Sequence, residues 1–296
     1  MNLDALYLQY RALLLSVAYR MLGSITEAED IVQDTFLDYY RQQSQADQEY
    51  IRNEKAYLIQ SVTNRCINLL TSARKRREQY VGPWLPEPEV TNIDQQPEES
   101  AVLHEEVSYA LLVLMEQLTP LERAVFILRD TLGYDYQEVA NLVHKTPVNC
   151  RKIYSRVQQK LHADIGVTPV GSELAAQLSA SFIAASASGD FHEFIELLTD
   201  DAVLYTDGGG IVRSAIFPIL GRQRILAFME GVWPKGFFGS AHLSASINGR
   251  TGTVIIKNQG LAAVVTFQFD LELRKAERIY VVKNPEKLCH VKWNNG

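Results

Sequence analysis

Three helix starts lie close together between residues 119 and 161, and their spacing constrains the fold more than any other feature of the chain. Residues 119–122, Thr-Pro-Leu-Glu, predict a helix with an N-cap threonine, a proline at the first helical position and a capping-box glutamate. Residues 135–138, Asp-Tyr-Gln-Glu, start a short second helix. A tight turn at residues 144–145 leads to Thr-Pro at 146–147, which starts a third. Two short helices joined in this way are typical of a helix-turn-helix.

The third helix separates an apolar face from a basic one. Its apolar residues recur at three- and four-residue steps, at Cys150, Ile153, Val157 and Leu161. Residues 145–160 carry five lysines or arginines and no acid. The side chains that this pattern offers to the phosphates and base edges of a DNA major groove are Asn149, Arg151, Lys152, Ser155 and Arg156. The alternative interpretation is a solvated basic face on an ordinary helical hairpin.

Composition limits how the chain contacts nucleic acid. With 29 basic and 35 acidic residues, its net charge is −6, so its cations matter only where they cluster. A length of 296 residues predicts two or three domains. The cysteines, Cys66, Cys150 and Cys289, lack the spacing of a zinc site or a disulfide framework and favour a reducing cytoplasm. We expect no metal, cofactor, signal peptide or membrane span.

Residues 1–77 predict a helical domain. Its second helix has an acidic outer face that presents Asp30, Gln33 and Asp34. A third helix follows from about residue 54 to residue 77 and ends in a basic run. The polar and basic side chains that it offers to a partner are Asn64, Arg65, Asn68, Arg74 and Lys75.

Residues 78–104 read as an extended acidic linker before the helix-turn-helix domain at 105–165. Across residues 78–122 there are ten acids and no lysine or arginine, and four prolines lie between residues 83 and 97. Trp84 and Leu85 are the exception, because an apolar pair in a solvated segment requires a pocket on this protein or on a partner.

Residues 170–296 predict an α+β domain. A helix over residues 172–187 precedes several strands, and residues 265–273 alternate apolar with polar side chains. We therefore expect a curved antiparallel sheet with helices packed on one face. The fold class is multidomain, with two all-α domains followed by one α+β domain.

At this point the motifs resemble those of a known family. Residues 29–36, Glu-Asp-Ile-Val-Gln-Asp-Thr-Phe, resemble the polymerase-binding motif in region 2 of the extracytoplasmic-function (ECF) sigma factors, and residues 119–161 resemble region 4. Residues 84–88 (Trp-Leu-Pro-Glu-Pro), 207–210 (Asp-Gly-Gly-Gly) and 284–288 (Asn-Pro-Glu-Lys-Leu) resemble the subgroup with a fused SnoaL-like, nuclear-transport-factor-like domain. Glu286 departs from the aspartate of that pattern and keeps its charge.

The resemblance implies a bacterial sigma factor that binds core RNA polymerase and directs promoter-specific initiation without catalysis of its own. It implies that Asp30, Gln33 and Asp34 bind core polymerase. The start-proximal promoter element would contact Asn64, Arg65, Asn68, Arg74 and Lys75, and the distant element would contact the exposed face of the third helix. The linker would thread the active-site and RNA-exit channel of polymerase.

We further expect a regulatory contact within the chain, between the fused domain and the linker. Its candidate residues are Trp84, Leu85, Pro86, Asp207, Gly208, Gly209, Gly210, Asn284, Pro285, Lys287 and Leu288. We expect this contact because an α+β domain follows directly after the DNA-reading helix. The residues up to the end of that helix already provide everything that a minimal sigma factor needs.

Two other function classes remain open for the fused domain. SnoaL-like folds form a cone-shaped pocket, so Asp207, Tyr205 or His242 could act as a catalytic acid or base. No paired carboxylates or nucleophile-base spacing support this, and a small-molecule sensing pocket fits better. A one-component repressor leaves the acidic linker and the region 2 motif unexplained.

Overall fold

The protein consists of two compact units. The computed structural model describes residues 3–43, 51, 53–77, 79–91, 108–162, 172–258, 260–270 and 272–291. The first unit contains Met1–Glu78, Gln96–Glu106 and Leu111–Ile165, and the second contains Gln79–Gln95, Val107–Ala110 and Gly166–Gly296. The composition-based boundary at residue 104 therefore differs from the packing, because the first part of the acidic segment groups with the C-terminal domain.

The first unit begins with three helices, α1 (Leu3–Leu22), α2 (Ile25–Gln43) and α3 (Glu54–Arg77). The Ser24 side chain accepts a hydrogen bond from the Glu27 amide at 3.1 Å and so caps the start of α2. The apolar face of α2 is buried, with Phe36 2% exposed. Its ring meets the ring of Tyr7 from α1 at 4.9 Å between centroids, so aromatic packing joins these two helices.

Four more helices follow, α4 (Tyr109–Met115), α5 (Pro120–Phe126), α6 (Tyr136–Leu142) and α7 (Pro147–His162). The predicted capping boxes are confirmed at the starts of α5 and α6, where Thr119–Glu122 and Asp135–Glu138 exchange side-chain and backbone hydrogen bonds. Helix α5 continues as a π-helical turn over Ile127–Thr131. Gly133, at φ 68°, ends that segment.

A buried arginine joins α5 to the N-terminal helices inside the first unit. The Arg123 side chain is 3% exposed. It donates hydrogen bonds to the carbonyl oxygens of Met21 at 2.5 Å and Met115 at 2.6 Å, and it pairs with Glu116 at 2.8 Å. A buried guanidinium is stable only with such partners, so Arg123 fixes the start of α5 against the end of α1.

The second unit is built around one seven-stranded sheet. Its strands are β1 (Val90–Thr91), β2 (Leu198–Asp207), β3 (Ile219–Leu220), β4 (Ala241–Ile247), β5 (Arg250–Lys257), β6 (Gly260–Asp270) and β7 (Lys275–Val282). Its helices are α8 (Ser172–Ser188), α9 (His192–Glu196), α10 (Arg222–Val232) and α11 (Pro285–Leu288). The strand order is β1-β4-β5-β6-β7-β2-β3.

The sheet is mixed, whereas the sequence predicted an antiparallel one. Strand β2 pairs in parallel with β7, and the other described pairs are antiparallel. A parallel pair requires a long crossover, and the chain between Asp207 and Lys275 provides it. On one face, Phe182 of α8 packs edge-on against Phe194 and Phe267. This face holds the main hydrophobic core.

Strand β6 departs from the predicted alternation. Its residues from Ala263 to Phe269 are all buried, including Thr266 and Gln268. The strand ends at Asp270, whose carboxylate accepts a hydrogen bond from the Leu273 amide at 2.9 Å, and Leu273 is 60% exposed rather than inward. A half-buried sheet would alternate, so burial of both kinds of residue means that both faces are covered here.

Candidate functional site

Helix α7 presents the basic surface that the sequence predicted. The Thr146 hydroxyl accepts a hydrogen bond from the Asn149 amide at 3.2 Å and caps the helix, after a turn in which His144 has φ 52°. The inward residues Cys150, Ile153, Val157 and Leu161 are buried. The exposed residues are Asn149, Arg151, Lys152, Ser155 and Arg156. A capped, exposed basic helix behind a tight turn has the geometry with which a helix-turn-helix enters a major groove.

Tyr136, at the start of α6, lies against two arginine side chains. The guanidinium carbon of Arg151 is 5.1 Å from the centre of the Tyr136 ring, and that of Arg129 is 4.8 Å away. The Tyr154 ring meets Tyr136 edge-on at 6.2 Å. The Tyr136 ring therefore packs against the Arg151 guanidinium and favours that orientation, while the arginine side chain stays exposed. Sequence reasoning missed Tyr136, although its place between two basic positions of a helix-turn-helix was visible.

Lys160 differs from the cations nearer the start of α7. Its Nζ donates to both carboxylate oxygens of Glu122, at 2.9 and 3.1 Å. This pair uses the lysine to join the end of α7 to the start of α5. Its charge is thus already balanced inside the first unit.

The predicted polymerase-facing residues lie on one exposed strip of α2. Asp30, Gln33 and Asp34 are exposed, on the side of the helix opposite its buried apolar residues. Arg65 of α3 lies beside this strip, because it pairs with Asp38 and lies 3.9 Å from an Asp34 oxygen. The sequence grouped Arg65 with DNA-facing side chains, whereas the structure places its charge against the acids of α2.

The other start-proximal candidates occupy α3. Asn68 is exposed and Asn64 is half-buried. Arg74 and Lys75 fall within the helix, but their side chains lie outside the described residues.

In the second unit, the carboxylate of Asp207 is the centre of a buried polar cluster. Asp207 is 0% exposed at the end of β2. Its Oδ1 accepts hydrogen bonds from the Tyr80 hydroxyl at 2.6 Å and the Gly209 amide at 3.0 Å. Its Oδ2 accepts from the Leu85 amide at 2.9 Å and from Lys287 Nζ at 2.7 Å. Two of these four donors, Tyr80 and Leu85, come from the acidic segment.

Lys287 completes this cluster. Its side chain is 8% exposed, and besides Asp207 it donates to the carbonyl oxygen of Leu85. Its Nζ lies 4.0 Å from the Trp84 ring centre and 4.9 Å from that of Tyr80. Burial, together with the hydrogen bond to Asp207, raises the pKa of Tyr80. Sequence reasoning missed Tyr80, since nothing local marks it apart from its nearness to Trp84.

Asn284 supports the cluster from the turn before α11. Its backbone amide and that of Lys283 both donate to the carbonyl oxygen of Asp207, at 2.9 and 2.7 Å. Its side chain donates to the Tyr80 hydroxyl at 2.9 Å and caps α11. Gly209, at φ 62°, approaches so closely that a Cβ there would collide with the Asn284 side chain. Glycine is therefore required at this position.

The remaining motif residues surround these contacts. A Cβ on Gly208 would collide with the Val212 carbonyl oxygen, whereas Gly210 faces the Val81 side chain. Leu288 is buried, and Pro285 is exposed at the first turn of α11.

The acidic segment continues from the cluster to the sheet edge. The carbonyl oxygen of Pro86 accepts a hydrogen bond from the Tyr109 hydroxyl at 2.8 Å. Glu89 and Asn248 exchange two hydrogen bonds, at 2.9 and 3.2 Å. Beyond them, β1 pairs antiparallel with β4. Burial raises the pKa of Glu89 to about 7. Residues 79–91 thus form part of the second unit, although their composition predicted an exposed linker with one apolar anchor.

The candidate acid-base residues do not converge. Both carboxylate oxygens of Asp207 are occupied, and the Tyr205 ring stacks on Tyr280 at 5.6 Å. In the strand register, His242 lies opposite Ile255, a core residue on the face that α8 covers. Tyr205 and Asp207 lie opposite Tyr280 and Val282, on the other face of the sheet. Within the described part of the chain, no three His, Cys, Asp or Glu side chains are placed to hold a metal ion.

Comparison with known proteins agrees with this arrangement. Residues 6–76 match Sigma-70 region 2, and residues 108–161 match Sigma-70, region 4. The chain is 32% identical over 248 residues to the ECF RNA polymerase sigma factor SigJ of Mycobacterium tuberculosis, covering 81% of this chain and 76% of that protein. It belongs to the ECF RNA polymerase sigma factor family. The predicted family and its function in transcription initiation are thereby confirmed.

Two further comparisons extend over nearly the whole of this ECF sigma factor. It is 27% identical over 289 residues to the probable ECF RNA polymerase sigma factor SigI of Mycobacterium tuberculosis, covering 96% of this chain and 94% of the relative. The crystal structure of Mycobacterium tuberculosis SigJ aligns with a TM-score of 0.74 at 26% identity, covering 95% and 96% of the two chains. The predicted fold class, two helical sigma domains followed by a sheet-containing domain, is confirmed. None of the described helices has the length and apolar character to cross a membrane.

Proposed function

We propose that the C-terminal domain of this sigma factor restrains initiation by holding the start of its own linker. The observation that supports this most strongly is the Asp207 carboxylate, which is buried and accepts hydrogen bonds from Tyr80 and Leu85 of the acidic segment. A buried carboxylate requires its partners, so the domain and this segment stabilise each other. We propose that this contact is the regulatory contact within the chain that the motif residues led us to expect.

The restraint shortens the length of linker that is available to connect regions 2 and 4. Thirteen residues, 79–91, span on the order of 40 Å when extended. The Tyr109 hydroxyl donates a hydrogen bond to the Pro86 carbonyl oxygen. A residue that follows the linker is therefore bound to the first part of the linker. Release of the segment would lengthen the connection between regions 2 and 4. That would let the two regions contact promoter elements that are farther apart.

Retention of the segment needs little intrinsic affinity. A tethered segment is present at an effective concentration of order mM, so even weak binding keeps it bound. The same weakness lets core polymerase compete for the linker. We propose that polymerase binding, or a signal acting on the C-terminal domain, shifts this equilibrium.

We also propose specific roles for the exposed faces. Asp30, Gln33 and Asp34 would bind core polymerase, and Asn64, Asn68, Arg74 and Lys75 would contact the start-proximal element. Arg65, beside the acids of α2, would contact the start-proximal element from the border between these two surfaces. The residues proposed to contact the distant element are Asn149, Arg151, Lys152, Ser155 and Arg156. The factor would act in the cytoplasm. We propose that it has no catalytic turnover, since His242 lies on the opposite face of the sheet from Tyr205 and Asp207.

Run-off transcription with purified core polymerase tests the restraint. Tyr80→Phe removes the hydroxyl that bonds to Asp207 and Asn284, and we expect severalfold more transcript from a promoter with widely spaced elements. Tyr10→Phe is the matched control, because the Tyr10 hydroxyl accepts a hydrogen bond from the exposed Gln9 side chain at 3.3 Å and lies in the first unit. Small-angle scattering should show a larger radius for Tyr80→Phe. If Tyr80→Phe scatters and transcribes like the parent, the linker is merely a spacer.

A further inference from the structure

A short loop in the C-terminal domain is surrounded by basic side chains. Residues 236–239 lie between two glycines in the left-handed region, Gly236 at φ 66° and Gly239 at φ 69°. The Gly236 carbonyl oxygen is 3.4 Å from Lys257 Nζ, and the Phe237 carbonyl oxygen is 3.5 Å from Lys283 Nζ. Burial lowers the pKa of the His242 ring, and the backbone of the next loop residue, Phe238, opposes this shift. Three successive residues of the loop thus lie near Lys257, Lys283 and His242.

The two lysines lack counter-ions within the described part of the C-terminal domain. No carboxylate among the described residues forms an ion pair with Lys257 or Lys283. Burial, and then the nearby charge of Lys257, lower the pKa of Lys283 to about 8. The Lys283 ammonium lies 3.3 Å from the centre of the Phe237 ring. Among the described residues, the groups that face this half-buried charge are thus neutral, a carbonyl oxygen and an aromatic ring.

The third basic group has unused hydrogen-bonding capacity. His242 Nε2 is buried and has no hydrogen-bond partner in the described structure. Ile255 pairs with His242 on one side and with Ala263 on the other, and Val264 pairs with Val282. His242 and Lys283 therefore lie at the same level of the sheet, at the end covered by the loop.

We propose that Lys257 and Lys283 form a binding site for a small oxyanion, the phosphate or carboxylate group of a metabolite, where the loop carbonyl oxygens now stand in for the anion. Contacts of 3.4–3.5 Å lie at the long limit for a hydrogen bond, so the loop oxygens are displaced at low cost. An anion would replace them with shorter, charge-assisted bonds. His242 Nε2 is placed to accept a hydrogen bond from a hydroxyl group on the same ligand.

The site adjoins the cluster that holds the linker. The Lys283 and Asn284 amides both donate to the Asp207 carbonyl oxygen, and the Asn284 side chain donates to the Tyr80 hydroxyl. A shift of Lys283 toward a bound anion therefore acts directly on the partners of the linker segment. This regulatory consequence rests on the proposed function, whereas anion binding itself does not.

Calorimetric titration of the full chain with inorganic phosphate, and separately with benzoate, tests the site at constant ionic strength. We expect saturable binding of at least one probe, weakened about tenfold or more in Lys257→Gln and in Lys283→Gln, because a hydrogen bond to a charged group contributes that much. Lys235→Gln is the matched control, since Lys235 is an exposed lysine directly before this loop. Lys257 is also exposed, so its variant keeps the test valid if Lys283→Gln fails to fold.

The two probes distinguish the ligand classes, since preference for phosphate or for benzoate identifies the group that the site accepts. The absence of saturable binding, equal weakening by Lys235→Gln, or equal competition by chloride would overturn the proposal.

Hydrogen exchange of the Leu85 amide tests the coupling independently of transcription. Saturation with the bound probe should change the exchange rate of this amide, which donates to Asp207. Unchanged exchange at saturation would refute the coupling, whatever the transcription assay shows. A Tyr80→Phe variant that fails to alter transcription would refute the restraint while leaving anion binding intact.

Discussion

Replacement of Asp207 by asparagine should selectively destabilise the contact between the C-terminal domain and its linker segment. The substitution keeps the size of the side chain and removes its charge. Lys287, 2.7 Å away and 8% exposed, then lacks its anionic partner. Breaking a buried ion pair by removing one partner costs about 3–5 kcal/mol, because the remaining buried charge loses its opposite charge.

The control is an aspartate on the same strand. Asp200 pairs with Arg222 at 2.8 Å, but its side chain is 86% exposed. Exposed pairs of this kind contribute roughly 0–1 kcal/mol, since water solvates both charges when they separate. Asp200→Asn should therefore have little effect.

Hydrogen exchange at the Leu85 amide measures the difference, because this amide donates to Asp207 and exchanges when the segment opens. A loss of about 3 kcal/mol corresponds to exchange at least about a hundredfold faster. A double variant, Asp207→Asn with Lys287→Met, should lose less than the sum of the two single losses, since it removes both charges of the pair. Equal exchange rates in Asp207→Asn and Asp200→Asn would refute the assignment of the pair as a stabilising centre.

Two further predictions concern DNA reading. Arg156→Ala should weaken binding to the distant element by about 1–3 kcal/mol if the side chain reads a base. Lys160→Ala should weaken it less, because Glu122 already balances the charge of Lys160. Equal loss of binding to specific and scrambled duplexes would show that Arg156 only contacts phosphate. Tyr136→Leu should weaken the same binding by roughly 0.5–1 kcal/mol, because it removes the ring that packs against Arg151, and Tyr136→Phe should restore the binding. A fluorescence anisotropy titration measures both affinities. Equal affinities of the leucine and phenylalanine variants would contradict this role.

The sequence predicted those features that depend on residues close together in the chain. Capping at Thr119 and Asp135, and the inward spacing of Cys150 and Val157, are local, so the helix-turn-helix could be read directly. The motif residues around Asp207 were identified by resemblance to the family. Their contact partner Tyr80 was not identified from the sequence. Tyr80 lies 127 positions from the carboxylate that it meets, and no local pattern encodes such a contact.

Other errors have the same origin in tertiary structure. The parallel β2–β7 pair depends on a crossover, which strand patterns do not specify. Burial of Thr266 and Gln268 depends on coverage of the second face of the sheet. The burial of Arg123 depends in part on the carbonyl oxygen of Met21, 102 positions away, which no local pattern specifies. Charge composition marked residues 79–91 as solvated, but their backbone and apolar groups determine where they pack.

The short strand β1 also gives linker release a cost in solubility. Val90 and Thr91 pair with Ile247 and Ser246 at the edge of β4, so the linker covers an open side of the sheet. Departure of the segment leaves that edge with unpaired backbone groups, which readily add a strand from another molecule. If the linker is released as proposed, we expect self-association to limit the amount of free sigma factor, and we expect binding to polymerase to reduce that self-association.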